Sequence, residues 1–310
     1  MDAARELNGP TRKTVNGGNY INYFIAPAPV KDGRRVSTAK AFLSPIKDRK
    51  NLYVMKNTRA DAVLMDGNRA IGVRVTLKEG QTINVKVSKE VILSAGSIAS
   101  PKLLMLSGIG PKQHLHEVEI PNVVDLPVGK NLHNHFGWLG LYLAYQNKTA
   151  TPPSPTYNLD EAYQYLVHKQ GILGTNGGFA FIGAARVNDS NSKYADMQFF
   201  HTHYKRGDVD KVDKVSKIFN VNDDIKHEIM KIVKEADVIM PMPSLLKSKS
   251  TGELRLRNKD PAVPVKIYGN SFSEQDVEMM LKTVHFFKKM LKTKAFVREG
   301  VRLHHLYIPD

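Results

Sequence analysis

The chain has 310 residues, no cysteine, and a formal charge of +15 from 45 Lys and Arg against 30 Asp and Glu. With 42% hydrophobic residues it is long enough for a full core in two modules, and the missing cysteines exclude a disulfide framework, a thiolate metal site and a cysteine nucleophile. The basic residues are spread out and interleaved with acids, as in Lys211-Val212-Asp213-Lys214 and Lys226-His227-Glu228, without a helix-turn-helix, zinc finger or aromatic RNP pattern, which favours solvated faces over a nucleic-acid partner.

Residues 1–19 are polar and glycine-rich, and an irregular segment is expected there. Met1 to Glu6 carries charges and no apolar run of the kind a secretory signal needs, and no later run approaches the length of a membrane span. The compartment is not legible. Residues 52–57 read as a strand. Three alternating segments follow, Ala60 to Met65, Ile71 to Leu77 and Ile83 to Val87, separated by Asp66-Gly67-Asn68 and Glu79-Gly80, which is the pattern of a β-meander.

Val91 to Ser94 then returns as an apolar strand of the sort buried in a parallel sheet. Gly96 suits a sharp turn or a close backbone approach. Ser100-Pro101 is expected to open a helix, with serine as cap and proline at the first helical position. Leu103, Leu104 and Leu106 supply its buried face, and Gly108 ends it. A strand, a meander excursion and a return strand fit a doubly wound fold.

Beyond His135 the character changes. Residues 146–158 read as a loop. Asn158 is expected to cap a helix ending at Gly171, and Gly171 to Gly178 is too glycine-rich for regular structure. Residues 196–204 alternate as a strand, 223–235 read as a charged amphipathic helix, and Leu254 and Leu256 alternate with Arg255 and Arg257 in a further strand. Ser273 starts a helix over 273–293 with Val277, Met280, Leu281, Val284, Phe287 and Leu291 on one face.

Gly96-Ser97, Ser100-Pro101, Leu103-Leu104 and Ser107-Gly108-Ile109-Gly110, at these spacings, resemble the second signature of the glucose-methanol-choline (GMC) family of FAD-dependent oxidoreductases. Ser37 to Leu43 resembles the family's segment before the strand that contacts FAD, and Asn51-Leu52-Tyr53-Val54 resembles the opening of that strand. Val128-Gly129-Lys130-Asn131-Leu132 with His135 is similar to the family's Gly-Lys-Asn-Leu-Gln-Asp-His element. Leu246 to Ser250, Gly252 to Leu256 and Asp260-Pro261 resemble the start of its C-terminal module. The likeness is strongest to insect glucose dehydrogenase-like members.

The resemblance implies an α/β (α+β) chain: a partial FAD-binding doubly wound domain with a β-meander over 20–137, a substrate domain on a mostly antiparallel sheet over 138–245, and the start of the C-terminal module over 246–310. The 273–293 helix is expected to return to the first of these. It implies FAD as cofactor, an alcohol or sugar as substrate, and a quinone or other electron acceptor. By residue-wise match, Ala60, Ala95 and Gly96 are the candidate FAD contacts, all through backbone. The family's other FAD lobe opens with a Gly-x-Gly-x-x-Gly turn, and this chain contains none. The family's catalytic histidine falls beyond Asp310, so no catalytic residue is assigned, and His304 and His305 are read as structural. His133 and Asn134 stand where the family has glutamine and aspartate. His133 with His135, and His201 with His203, have the spacing of a metal pair on a strand, yet neither has a third ligand at a recognisable spacing, so no metal is expected. Two readings remain: a flavoenzyme acting on CH–OH groups, and a non-catalytic relative that keeps the substrate module for binding. Lacking the glycine-rich turn and the histidine, these 310 residues alone are expected neither to hold FAD tightly nor to turn over substrate.

Overall fold

The computed structural model of the chain describes all residues except 8, 10, 12–17, 19, 147–153, 176–179, 189–190 and 307–310. The first stretch runs α1 (Asp2–Glu6), β1 (Asn22–Ile25), β2 (Val30–Lys31), β3 (Arg34–Arg35), β4 (Arg59–Asp66), β5 (Arg69–Thr76) and β6 (Thr82–Lys86). It continues through α2 (Gly96–Leu106), β7 (Ile109–Gly110), α3 (Lys112–Glu117), β8 (Val124–Asp125), β9 (Phe136–Gly137) and β10 (Tyr142–Tyr145). Next come α4 (Tyr157–His168), β11 (Phe181–Ala185), β12 (Met197–Tyr204), α5 (Val209–Phe219), α6 (Asp223–Glu235) and β13 (Asp237–Leu245). The last elements are β14 (Glu253–Arg255), β15 (Lys266–Tyr268), α7 (Glu274–Met290), α8 (Lys294–Arg298) and β16 (Arg302–His304). They divide into one unit of residues 1–47, 135–248 and 274–310, and another of 48–134 and 249–273.

The first unit is built on an antiparallel sheet, seven-stranded among the described residues, in the order β1-β11-β12-β13-β10-β16 with β9 also on β13. Period-two alternation sends Leu143, Met197, Phe199 and Leu245 to one face, where α7 contributes Met280, Phe287 and Met290. Phe199 and Phe287 meet edge to face with centroids 5.1 Å apart, each burying roughly 2–3 kcal/mol of transfer free energy. The opposite face carries Tyr142, Ala144, Tyr204, Val238 and Met240 and packs on Val212 and Val215 of α5 and Ile229, Ile232 and Val233 of α6. Both faces are thus covered. Asp208 accepts from the Lys211 N–H at 3.2 Å to start α5, and Asn222 accepts from the Asp224 N–H at 2.8 Å to start α6.

The second unit holds the expected meander, β4-β5-β6, antiparallel throughout. Its core gathers Met105 of α2, Leu115 of α3, and Leu254, Leu256 and Val265 around the β14–β15 hairpin. The only parallel ladder between named strands among the described residues, β7 with β8, spans two residue pairs. No described helix is long and apolar enough to cross a membrane.

Several expectations are corrected. Asp2–Glu6 is helical, not irregular, because Ala3 and Ala4 bury themselves against the core of the first unit. Residues 52–57 and 91–94 are not strands: neither segment finds a ladder partner among the described residues, and a parallel strand exists only through such partners. Tyr53, at 86% exposure, and Ile92, at 76%, are therefore open rather than buried. Helix α2 begins at Gly96, not at Pro101, because Ser100 turns its hydroxyl back to the Ala95 N–H instead of capping. Its buried residues are Leu103 and Met105, while Leu104 and Leu106 are half-buried. Helix α4 starts after Thr156, whose hydroxyl donates to Asp160, rather than after Asn158. Ile172–Gly174 forms a 3-10 turn in the stretch expected to be irregular; residues 147–153 of the expected loop and 176–178 lie outside the described residues.

Helix α7 packs on the antiparallel sheet and belongs to the first unit, where it was expected to return to the FAD-type domain. Its inner face is Asp276, Met280, Thr283, Phe287 and Met290, leaving Val277 and Leu281 exposed. Thr283 can be buried because its hydroxyl donates to the Met280 carbonyl at 2.5 Å.

Candidate cofactor-binding site

The residues singled out as cofactor contacts lie on β4 and at the start of α2, both in the second unit. Gly96 adopts φ +91°, and a Cβ added there would meet nothing within 4 Å. The position therefore demands glycine by backbone conformation and faces open space. The N-cap residue, Ala95, offers no side-chain cap to α2. An eleven-residue helix with such a start presents partial positive charge to an anion.

The far end of α2 is fastened to β4. Ser107 donates its hydroxyl to the Leu103 carbonyl at 2.6 Å and accepts from the Val63 N–H at 2.8 Å. Gly108 follows with φ +82°, where a Cβ would stand 2.6 Å from the Pro121 carbonyl oxygen. The helix end thus has one backbone solution, and with it the direction in which α2 presents Gly96.

Ala60 is exposed on β4, paired with Val75, and the register slips between Ala60 and Ala62. Asp61 is the extra residue, and such a bulge re-aims its neighbours. Its carboxylate is buried, accepting from the Arg59 guanidinium at 2.7 Å and from the Thr76 hydroxyl. Burial pushes the Asp61 pKa up, but the Thr76 and Arg59 hydrogen bonds and the charges of Arg59 and Arg74 outweigh it, leaving the carboxyl below its ordinary range. Lys102, on α2, donates to the Pro261 carbonyl at 2.7 Å; burial, then Arg59, lowers its pKa against the opposing pull of Asp260 and Asp61. Ala60, Ala95 and Gly96 are all exposed within one unit. Asp61, which holds the backbone that carries Ala60, was not anticipated, and Ser107 was read only as part of the signature and not for its bonds to Leu103 and Val63; the sequence signal for Asp61 was a carboxylate interrupting an alternating run between Ala60 and Ala62.

The other candidates separate. A cleft of about 800 Å³ lined by Pro111, Lys112, His116, Asn122 and Asp125 contains none of the three predicted contacts. His133 bonds Asn131 at 3.0 Å on an exposed loop outside any strand. His201 is buried beside the Phe181 carbonyl at 3.3 Å, and burial pushes its pKa down to about 4. His203 faces the Tyr145 hydroxyl at 2.8 Å and Asp237 at 3.7 Å. His304 ends β16 and His305 follows it. Among the described residues no three His, Asp or Glu side chains form a metal-binding group.

Residues 1–137 match the GMC oxidoreductase family model. A glucose dehydrogenase [FAD, quinone] of Drosophila melanogaster is 32% identical over 98% of this chain and 46% of its own length. An oxygen-dependent choline dehydrogenase of Chromohalobacter salexigens is 28% identical over 96% of this chain and half of the relative. The chain therefore spans about half the length of the curated relatives it matches. Among solved structures, an FAD-dependent oxidoreductase from Chaetomium thermophilum superposes with a TM-score of 0.75 over 99% of this chain and 56% of its own, at 21% identity. A formate oxidase does so with a TM-score of 0.75 over 98% and 54%, at 20% identity. These two establish the fold.

Proposed function

Since the chain belongs to the GMC oxidoreductase family through residues 1–137, we propose that it serves an FAD-dependent oxidation of CH–OH groups in an alcohol or sugar, with a quinone or another acceptor receiving the electrons. In this reading residues 20–137 are a partial FAD-binding module, 138–245 the substrate domain, and 246–310 the start of the C-terminal module. The observation that carries it is the open start of α2 at Gly96, within the residues that match the family model. Gly96, with no side chain in the way, would let the cofactor's sugar-phosphate approach the backbone at the start of α2, next to Ala95, whose own N–H is held by the Ser100 hydroxyl, and Ala60 would contribute backbone from β4. Bound flavin supplies the acceptor for the hydride; this chain's part is to bind, orient and shield.

The test is flavin retention by the natural polypeptide that carries these residues, followed by anaerobic bleaching of its visible absorbance with glucose and simple alcohols. Gly96→Val should lower flavin retention, by straining the φ +91° backbone as well as by crowding the approach. A polypeptide that never carries flavin refutes the reading. The 310 residues by themselves contain no Gly-x-Gly-x-x-Gly turn and should lose FAD on gel filtration. A second reading, a non-catalytic relative, is favoured by His133 and Asn134, which replace the family's polar pair with an exposed, locally bonded histidine. Flavin retained without any bleaching would support it.

A further inference from the structure

Three side chains outside the candidate cofactor site meet on one face of the sheet, across three neighbouring strands. Tyr145, the last residue of β10, stands opposite Asp237, the first of β13, and His203 of β12 stands opposite Ile239, two residues further along β13. Period-two alternation therefore sends all three the same way. The Tyr145 hydroxyl reaches His203 Nε2 at 2.8 Å. Asp237 Oδ1 lies 3.7 Å from the same nitrogen and has no hydrogen-bond partner among the described residues. A buried carboxylate oxygen in that state costs free energy until another group answers it. The Asp237 side chain is 4% exposed and the His203 side chain 44%, so solvent protons reach the ring while the carboxylate stays covered.

We propose that Tyr145, His203 and Asp237 form an acid-operated switch, in which the protonated imidazole of His203 gives up the Tyr145 hydroxyl and takes Asp237 instead. At neutral pH the phenol has no other acceptor among the described residues, so it donates to Nε2 and the ring proton sits on Nδ1. Burial, then the charges of Asp237 and Glu299, pushes the Tyr145 pKa up to about 12, which keeps the phenol a donor. A proton taken up by the ring can go only to Nε2. That nitrogen then donates, cannot accept from Tyr145, and faces a carboxylate oxygen that lacks a partner. A charge-assisted bond is shorter than 3.7 Å, so the ring turns toward Asp237 and Tyr145 is released. Burial holds the His203 pKa below its ordinary value; Asp237 and Asp208 oppose that, and Lys211 and Lys205 add to it. Lys211 is fixed in place, donating to the His203 carbonyl at 2.8 Å. The mechanical consequence falls on the end of β10. Gln146 donates to the Glu235 carbonyl at 2.9 Å, and once Tyr145 is released that is the side-chain tie left there among the described residues. None of Ala60, Ala95 or Gly96 takes part, so the inference stands apart from the flavin reading.

The test is NMR of the full chain carrying nitrogen-labelled histidine, with His203→Gln identifying the resonances. At neutral pH His203 should be the Nδ1–H tautomer, and it should titrate below its ordinary value of 6.5. Two substitutions should move that midpoint in opposite directions. Tyr145→Phe removes a bond to the neutral ring and should raise it by roughly half a pH unit to one unit; Asp237→Asn removes the charged acceptor and should lower it by a similar amount. Hydrogen exchange at the 142–146 amides should quicken several-fold across the same titration. Tyr145→Phe, which lacks the bond at every pH, should abolish that step. His201, on the same strand, has its pKa pushed down to about 4, and His201→Gln separates its contribution. An Nε2–H tautomer at neutral pH, a midpoint that fails to move as stated in either folded variant, or exchange at 142–146 that ignores the titration overturns the switch. The tautomer and the exchange are read on the unaltered chain, so they decide the matter even where Asp237→Asn does not fold.

Discussion

Replacing Asp61 by alanine should cost the second unit about 2 kcal/mol at neutral pH. Two hydrogen bonds are lost: one from the Thr76 hydroxyl and one from Arg59 at 2.7 Å. A bond to a buried carboxylate is worth about 1.5–3 kcal/mol net. The half-exposed Arg59 adds at most about 1 kcal/mol. Relief of the carboxylate's burial offsets part of the sum. Thr76→Val should cost about 1.5 kcal/mol, and the double variant should show a coupling of about 1 kcal/mol between the two sites. The pH dependence has a definite sign. The folded carboxyl titrates below its ordinary value of 3.8, so its contribution is full above about pH 4 and is lost as pH falls through the folded value. The gap between the unaltered chain and Asp61→Asn should therefore close on acidification. Urea unfolding read by hydrogen exchange at the β4 and β5 amides isolates this unit from the other. Asp61→Ala within about 0.5 kcal/mol of the unaltered chain, or a gap independent of pH, would refute the claim that this carboxylate pins the bulge.

Gly108→Ala meets both a left-handed backbone and the Pro121 carbonyl at 2.6 Å, so it should destabilise by more than about 2 kcal/mol in thermal unfolding. Phe287→Ala removes a fully buried ring between α7 and β12 and should cost about 3–5 kcal/mol, read as a lowered urea midpoint for the sheet unit. His201 stays neutral in the fold down to about pH 4, against an ordinary value of 6.5, while the unfolded chain takes its proton earlier. Stability of the first unit should be level above about pH 6.5 and fall between there and pH 4, and melting curves of His201→Gln should lack that component.

Where a segment's own pattern decided its structure, the sequence was legible. The meander followed from alternation and two turn signals, and α6 from the spacing of Ile229, Ile232 and Val233. Helix α5 was missed because Val212 and Val215 are embedded in charge, although Asp208 stood ready as its cap. The inner face of α7 was misread because Thr283 and Asp276 are polar, and their burial depends on bonds that spacing does not reveal. The runs at 52–57 and 91–94 have strand composition, but composition cannot supply a ladder partner. At the candidate site the signature at Gly96 could be read directly, whereas the bulge at Asp61 could not: it exists only once β4 and β5 are in register.

Glu6 accepts hydrogen bonds from the N–H groups of Lys294 and Ala295, at 2.6 and 2.9 Å, and so caps α8 from the other end of the chain. Strand β1 similarly waits for β11, roughly 160 residues later. During synthesis at about 5–20 residues per second, the first segment is exposed for many seconds before its partners are made. Its unit is interrupted twice by stretches that fold elsewhere. High contact order of this kind slows folding and lengthens the interval in which apolar edges invite the wrong neighbour. Until Lys294 and Ala295 leave the ribosome, Glu6 has no helix to cap.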